Sequence, residues 1–233
     1  MSEGPTSEPV GGPPSNESSL AGGTRLPMFP LGSVLLPGML LPLRVFEPRY
    51  QQLTADVLAG DGCFGVVMIE RGSEVGGGDV RAEVGCVARV LQAEELGGGR
   101  WGLLCVGTER LRVRSWLEDD PYPLAVVDPW PDEERDDDPA LDAVDRAAFA
   151  DVTARFERVR ELAARLGVPG AEESVELMPD PELATFQIAL SSPLGPLDRH
   201  RLLSAPSWPG RVRLLAEQLD DVAVLLEARL DGR

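Results

Sequence analysis

Hydrophobic and polar positions recur with two different periods along this chain, and the change of period divides it. From Leu26 to Val127 the apolar runs are short and punctuated by proline and glycine. The stretch LPMFPLGSVLLPGMLLPLRVFEPRY, Leu26 to Tyr50, holds Pro27, Pro30, Pro37, Pro42 and Pro48. Proline lacks an N–H and fixes φ, so none of these runs is a helix interior and each is an extended segment. Pro37-Gly38 predicts a tight turn. Pro48 suits the first position of a helix over Glu47 to Leu58, with Tyr50, Leu53, Val57 and Leu58 on one face and Gly60 or Gly62 as the stop. Cys63 to Ile69 is wholly apolar and has the length of a buried strand, and Arg71 to Asp79 reads as a glycine-rich surface loop. Glu83 to Leu96 and Arg100 to Gly107 flank Gly97-Gly98-Gly99 as the arms of a β-hairpin. Thr108 to Leu117 alternates, with Leu111 and Val113 on one side and Arg110, Arg112 and Arg114 on the other, so the arginine row is expected to be a solvent face. Leu124 to Val127 is the last strand.

Past Pro139 the period becomes three to four. Asp138-Pro139 reads as a cap followed by proline at the first helical position. Leu141, Val144, Phe149, Val152, Phe156, Val159 and Leu166 form one apolar stripe, ended by Gly167. Asp180-Pro181 opens a second helix to about Ser191, burying Leu183, Phe186, Ile188 and Leu190. A short helix, Leu197 to Leu203, precedes a last one from about Pro209 to Leu230, whose start is ambiguous between Pro206 and Pro209. The organisation expected is therefore α+β: a tail over 1–24 too poor in large apolar groups to order, a β unit over 25–130, an acidic linker over 131–138, and a helical bundle over 139–233.

Composition narrows the chemistry. The net charge is −17, and Asp132 to Asp145 holds eight carboxylates against one arginine, Arg135. Such a chain is a poor partner for nucleic acid, which needs a cationic surface, and the acidic run reads as solvated. All 22 basic residues are arginine. Without lysine there is no Walker A loop, Schiff base or Ser-Lys dyad. The single histidine, His200, lies between two arginines on a helix and is a poor general base. Cys63, Cys86 and Cys105 are far apart within apolar runs, so they read as buried reduced thiols rather than a metal or disulfide site. A calcium loop fails too, because its sixth position, Asp137, is not glycine and its twelfth, Ala143, is not glutamate. Gly76 to Gly78 lack the spacing and following helix of a phosphate cradle. No catalytic, cofactor or metal site is expected. With neither a signal peptide nor an apolar span, a cytoplasmic location is expected.

The segment from Leu26 to Tyr50 resembles the opening of the Lon substrate-binding domain family: an LPLFPL-like strand, a PG turn, an apolar strand, and FExRY entering a helix. VGCVARVLQAEELGGGRWGLLCVGTERLRV is similar to that family's central hairpin, and Leu183 to Leu190 and Val212 to Leu226 fit its helical part, so the resemblance covers about residues 25 to 230. It implies an N-terminal PUA-like pseudo-β-barrel with one helix, like the pseudouridine synthase and archaeosine transglycosylase domains, followed by a C-terminal α-helical bundle. In full-length Lon proteases this domain precedes an ATPase and a Ser-Lys peptidase, for both of which a lysine is missing here. The resemblance implies a free-standing bacterial relative without the protease.

It implies a non-catalytic role: holding unfolded or extended polypeptide segments, alone or as an adaptor for a separate protease or chaperone. An open barrel edge could add a peptide strand, or a groove between barrel and bundle could hold an apolar segment. The expected contacts are Phe46, Arg49 and Tyr50, with Trp101 or Trp208 as aromatic anchors; Phe46 and Tyr50 also read as core contacts of the first helix, and Glu47 and Arg49 as structural ions. RNA binding through Arg110, Arg112 and Arg114 is the alternative, and charge opposes it. For an independent hydrolase, no spacing favours a carboxylate pair.

Overall fold

In the computed structural model the described residues are 23–71, 80–133, 139–173 and 175–232, less the side chains of 139–142. The tail up to residue 22, the glycine loop over 72–79 and the acidic run over 134–138, with its Asp138 cap, lie outside them, as does the Leu141 side chain. The first half forms β1 (Thr24–Leu31), β2 (Leu40–Val45), α1 (Pro48–Ala59), β3 (Cys63–Arg71), β4 (Val80–Glu95), β5 (Trp101–Trp116) and β6 (Leu124–Pro129). The sheet order is β2-β5-β4-β3-β1-β6, and β6 also pairs with β5, which closes a barrel. Among the described strands only β1 and β3 are parallel; the other pairs are antiparallel.

The two segments expected around Gly107 are one sixteen-residue strand, β5, which carries the barrel. One edge pairs with β4. The other pairs first with β2, over Trp101 to Val106, and then with β6, over Leu111 to Trp116. At the changeover a Cβ on Gly107 would lie 2.3 Å from the Leu36 carbonyl oxygen, so only glycine lets the β1–β2 connection cross here. The hairpin loop uses Gly97, Gly98 and Gly99 at φ of 82°, 65° and 74°, a conformation that L side chains avoid.

In α1, Pro48 occupies the first turn, and Tyr50, Leu53, Thr54 and Val57 are buried. Leu58, expected on that face, is exposed, because it is rotated about 100° from its neighbour Val57, which takes the inward position. Both expected stops act, since the N–H groups of Gly60 and Gly62 each donate to the Val57 carbonyl at 3.1 Å. The barrel interior is filled by Phe29, Val45, Tyr50, Leu53, Phe64, Val66, Cys86 and Cys105 among others. All three cysteines are free and buried. Burial pushes the Cys86 thiol up to about 12 and the Cys105 thiol up to about 11, so neither is a nucleophile near neutrality.

The second half forms α2 (Pro139–Arg165), α3 (Pro181–Ser191), α4 (Pro196–Leu203) and α5 (Trp208–Leu230). The Asp180 side chain caps α3 by accepting from the Glu182 N–H at 2.9 Å. Ser207 caps α5 through its hydroxyl, which places Pro209 in the first turn. α2 and α5 lie side by side in the same direction, with Phe149 near Trp208, Arg155 paired with Asp220, and Arg158 with Glu227 at 2.6 Å. Val144, expected in the buried stripe, is exposed because it lies more than a turn before Phe149, past the start of α5. Leu183 and Leu190, expected to be buried, are half-buried, and Ala184 and Ala189 take the interior places beside Phe186 and Ile188. The helices close over Val34, Leu36, Met68, Ala82 and Val84 of the barrel's outer side, so one apolar cluster runs through both halves. None of the described helices is long and apolar enough to cross a membrane.

An ion network ties the halves together. Arg110, from β5, donates to the carbonyls of Leu203 at 2.9 Å and Ala205 at 2.6 Å, and to Asp132 Oδ1. Arg211, from α5, donates to Asp132 Oδ1 at 2.9 Å and Oδ2 at 2.7 Å, and to Thr185 Oγ1 at 2.8 Å. The Arg211 and Asp132 side chains are only 1% and 9% exposed. Two expectations are corrected: Arg110 does not face solvent, because α4 and the start of α5 cover that part of β5, and Asp132 is not part of a solvated linker. Two cations share one carboxylate here, and the surplus positive charge is met by carbonyls at the negative end of α4. Burial pulls the Arg110 pKa down, against the opposing pull of Asp132.

Removing the carboxylate strands two buried cations, so Asp132→Ala is expected to lower unfolding stability by about 3–5 kcal/mol in chemical denaturation. Glu227→Ala, which breaks a solvent-exposed pair, is expected to cost less than about 1 kcal/mol in the same assay. The native protein is also expected to resist an aromatic disulfide reagent near neutral pH, with all three thiols reacting once guanidinium unfolds it.

Candidate binding site at the barrel seam

The barrel is not closed along its full height. β6 pairs with β1 over Thr24 to Pro27, the Met28 N–H still reaches the Pro123 carbonyl at 2.8 Å, and beyond it Phe29 to Leu31 pair in the sheet with β3 alone. β2 has one strand partner among the described residues, β5. Where the free edges of β1 and β2 pass each other, a pocket of about 120 Å³ opens, lined by Phe29, Leu31, Leu43, Arg44, Val45, Phe46, Glu47 and Tyr50.

Pro42 shapes that edge. The Gly107 N–H donates to the Met39 carbonyl at 2.9 Å, and Met39 continues the register of Leu40 opposite Val106. Alternate residues Leu41, Leu43 and Val45 therefore turn their backbone groups to β5, while Leu40, Pro42 and Arg44 turn theirs to the seam. Pro42 has no N–H to offer there, so the edge is interrupted at its middle and is a poor template for an added strand. What the seam presents instead is side chains.

Tyr50 is buried and stacks on Phe29, ring centroids 4.1 Å apart and 12° from parallel. The Arg49 guanidinium lies 4.6 Å over the Tyr50 ring, and its Nε donates to Glu47 Oε2 at 3.1 Å. The Gln51 side chain donates to the Phe46 carbonyl at 2.9 Å, holding the strand-to-helix corner. Phe46 itself is 62% exposed. Its core reading is corrected, since it continues the outward alternation of Leu40, Pro42 and Arg44 whereas Tyr50 lies on the inner face of α1.

The structure brings Phe46, Arg49 and Tyr50 together and leaves the tryptophans apart. Trp101 is half-buried on β5 opposite Val45, beside the seam but not in its lining. Trp208 is a core group, with Nε1 donating to the Pro181 carbonyl at 3.0 Å, so it is no surface anchor. Phe29, Leu31 and Leu43 line the seam without having been singled out from the sequence. Their apolar periodicity was visible, but the meeting of β1 with β2 depends on long-range pairing.

The arginine row is engaged throughout: Arg110 in the ion network, Arg112 3.8 Å over the Trp130 ring, and Arg114 donating to both Asp128 carboxylate oxygens at 2.9 and 2.6 Å. The His200 ring lies 3.3 Å from the Val84 carbonyl oxygen and 3.4 Å from the Ser204 hydroxyl, contacts that place it against β4. Among the described residues no group of three or more His, Cys, Asp or Glu could hold a metal ion.

Known proteins similar to this chain agree on one family. It is 29% identical over 199 residues to the Lon protease of Anaeromyxobacter dehalogenans, covering 84% of this chain and 23% of that protein. It is 28% identical over 198 residues to Lon protease 2 of Myxococcus xanthus, with the same shares. The chain thus spans less than a quarter of the length of these relatives. Among solved structures, it is similar to the Lon N-terminal domain protein from Xanthomonas campestris, at 26% identity and a TM-score of 0.55, covering 83% of this chain and 98% of that one. The N-terminal domain of Mycobacterium avium complex Lon protease shares the fold at 16% identity and a TM-score of 0.58, covering 85% and 99%. The family model for the ATP-dependent protease La (LON) substrate-binding domain matches residues 25–221, and with most of its length so matched, the chain belongs to the LON substrate-binding domain family.

Proposed function

We propose that this protein is a non-catalytic binding module that holds extended, apolar segments of unfolded polypeptides at the barrel seam, as an adaptor that presents them to a separate protease or chaperone. The observation that carries this is the exposed Phe46 ring beside an apolar opening walled by Phe29, Leu31, Leu43 and Tyr50. A large exposed aromatic at the mouth of an apolar recess is the arrangement expected of a binding hot spot. The family's description as a substrate-binding domain supports the same choice. The interruption at Pro42 favours side-chain insertion over strand addition, so selectivity is for apolar residues rather than for backbone alone. Tyr50 walls the recess beside Phe46, the Arg49 guanidinium covers the Tyr50 ring, and Trp101 stands opposite Val45 beside the opening.

The absence of lysine, the raised thiol pKa values and the contacts of His200 speak for binding without catalysis. RNA binding is the weaker alternative, because the three arginines it needs are already engaged and the net charge is −17.

Fluorescence anisotropy with labelled, reduced and carboxymethylated α-lactalbumin is expected to show saturable binding. Phe46→Ala should weaken it by roughly tenfold or more without lowering the unfolding midpoint. A wild-type protein that gives no saturable signal with this and other unfolded chains would refute the proposal. Salt-sensitive binding of a labelled single-stranded RNA would favour the alternative.

A further inference from the structure

A second open surface lies on the outer face of the strands that carry the seam. Where β2, β5 and β4 run together, a groove of about 800 Å³ is lined by Pro42, Arg44, Gln92, Glu94, Leu96 and Leu104 among others. The inner face of this ribbon carries Leu41, Val45, Leu103 and Cys105 into the barrel core. The outer face is apolar at its centre, and it is bordered by Leu40, 57% exposed, and Leu96, 43% exposed. In a chain of net charge −17, the groove lining holds one cation and one anion, Arg44 and Glu94. Neither has an ion-pair partner among the described residues.

Their placement has a symmetry. Arg44 and Glu94 both stand opposite Gly102, one on each side of β5, so a single row across the ribbon reads cation, glycine, anion. The next row reads Pro42, Leu104, Gln92. Adjacent strands are about 4.8 Å apart, which puts the two charged Cα positions about 10 Å apart. We infer that this face binds a second copy of the same chain, about a two-fold axis that runs along β5 in the plane between the two faces. That operation places Arg44 of each copy on Glu94 of the other and packs Leu104 on Leu104, while the bare Gly102 backbones let the faces approach. A two-fold axis across the strands would instead oppose Arg44 to Arg44 and Glu94 to Glu94. The charges therefore select one dimer as well as favouring it. The local charge balance makes this a patch where two strongly acidic copies can meet without concentrating their repulsion.

Sedimentation equilibrium of the intact protein tests this, since Arg44 and Glu94 are exposed and can be exchanged without disturbing the core. The expected result is a concentration-dependent dimer of twice 25.1 kDa. Arg44→Glu and Glu94→Arg should each raise its dissociation constant by about tenfold or more, and the double exchange should restore it. A protein that stays at 25.1 kDa up to roughly millimolar concentration overturns the inference, as does a dimer indifferent to both single exchanges. Glu94 lies outside the seam lining, so a change in dimerisation by Glu94→Arg with unaltered α-lactalbumin binding separates the two surfaces.

Discussion

The carboxylate of Asp132 is the point on which the relation between barrel and bundle depends. It accepts from Arg110 of β5 and Arg211 of α5, and those two guanidinium groups reach on to the end of α4 and to Thr185 of α3. Apolar packing between the halves, through Leu36, Met68 and Val84 on one side and Leu215 and Leu202 on the other, is large but non-directional. The ion network adds direction, because planar guanidinium forks accept few arrangements of a carboxylate and carbonyls. The bundle therefore covers one chosen part of the barrel and leaves the opposite part, with β2 and the hairpin, uncovered.

That uncovered part is where both proposed binding surfaces lie. β5 is long enough to serve two partners on one edge, and its division between β2 and β6 leaves β1 and β2 side by side but unpaired. Pro42 keeps the gap from healing, since an outward N–H is missing where a further strand would bond. The consequence is a seam lined by side chains on one side of the ribbon and an open sheet face on the other. Phe46 stands at the mouth of the seam, its backbone carbonyl held by the Gln51 side chain.

Sequence patterning located most elements correctly, and most of its errors share one cause. Leu58 and Val144 were placed inward from helical period alone; one loses its place to Val57, and the other lies beyond the helix it would have met. Arg110 was placed outward from strand alternation, which holds for Arg112 and Arg114 but fails where α4 covers the strand. Phe46 reads as a core contact of the first helix yet stands in solvent, and Trp208, a candidate anchor by sequence, closes the bundle core. Leu58 yields to its own neighbour in the helix, but for Val144, Arg110 and Trp208 the element that decides burial comes from a distant part of the chain.

Proline and glycine spacing, the change of period near Pro139 and the absence of lysine set the element order and the α+β class and argue against most catalytic chemistry, while the family rests on the resemblance of two motif stretches, Leu26 to Tyr50 and Val84 to Val113. Those features act within a few residues, through φ, missing donors and side-chain alternation, and so they are written locally. The seam, the buried Arg110–Asp132–Arg211 network and the charge row across Gly102 each join residues far apart in the chain. Strand register and helix docking bring them together, and only the folded chain fixes both.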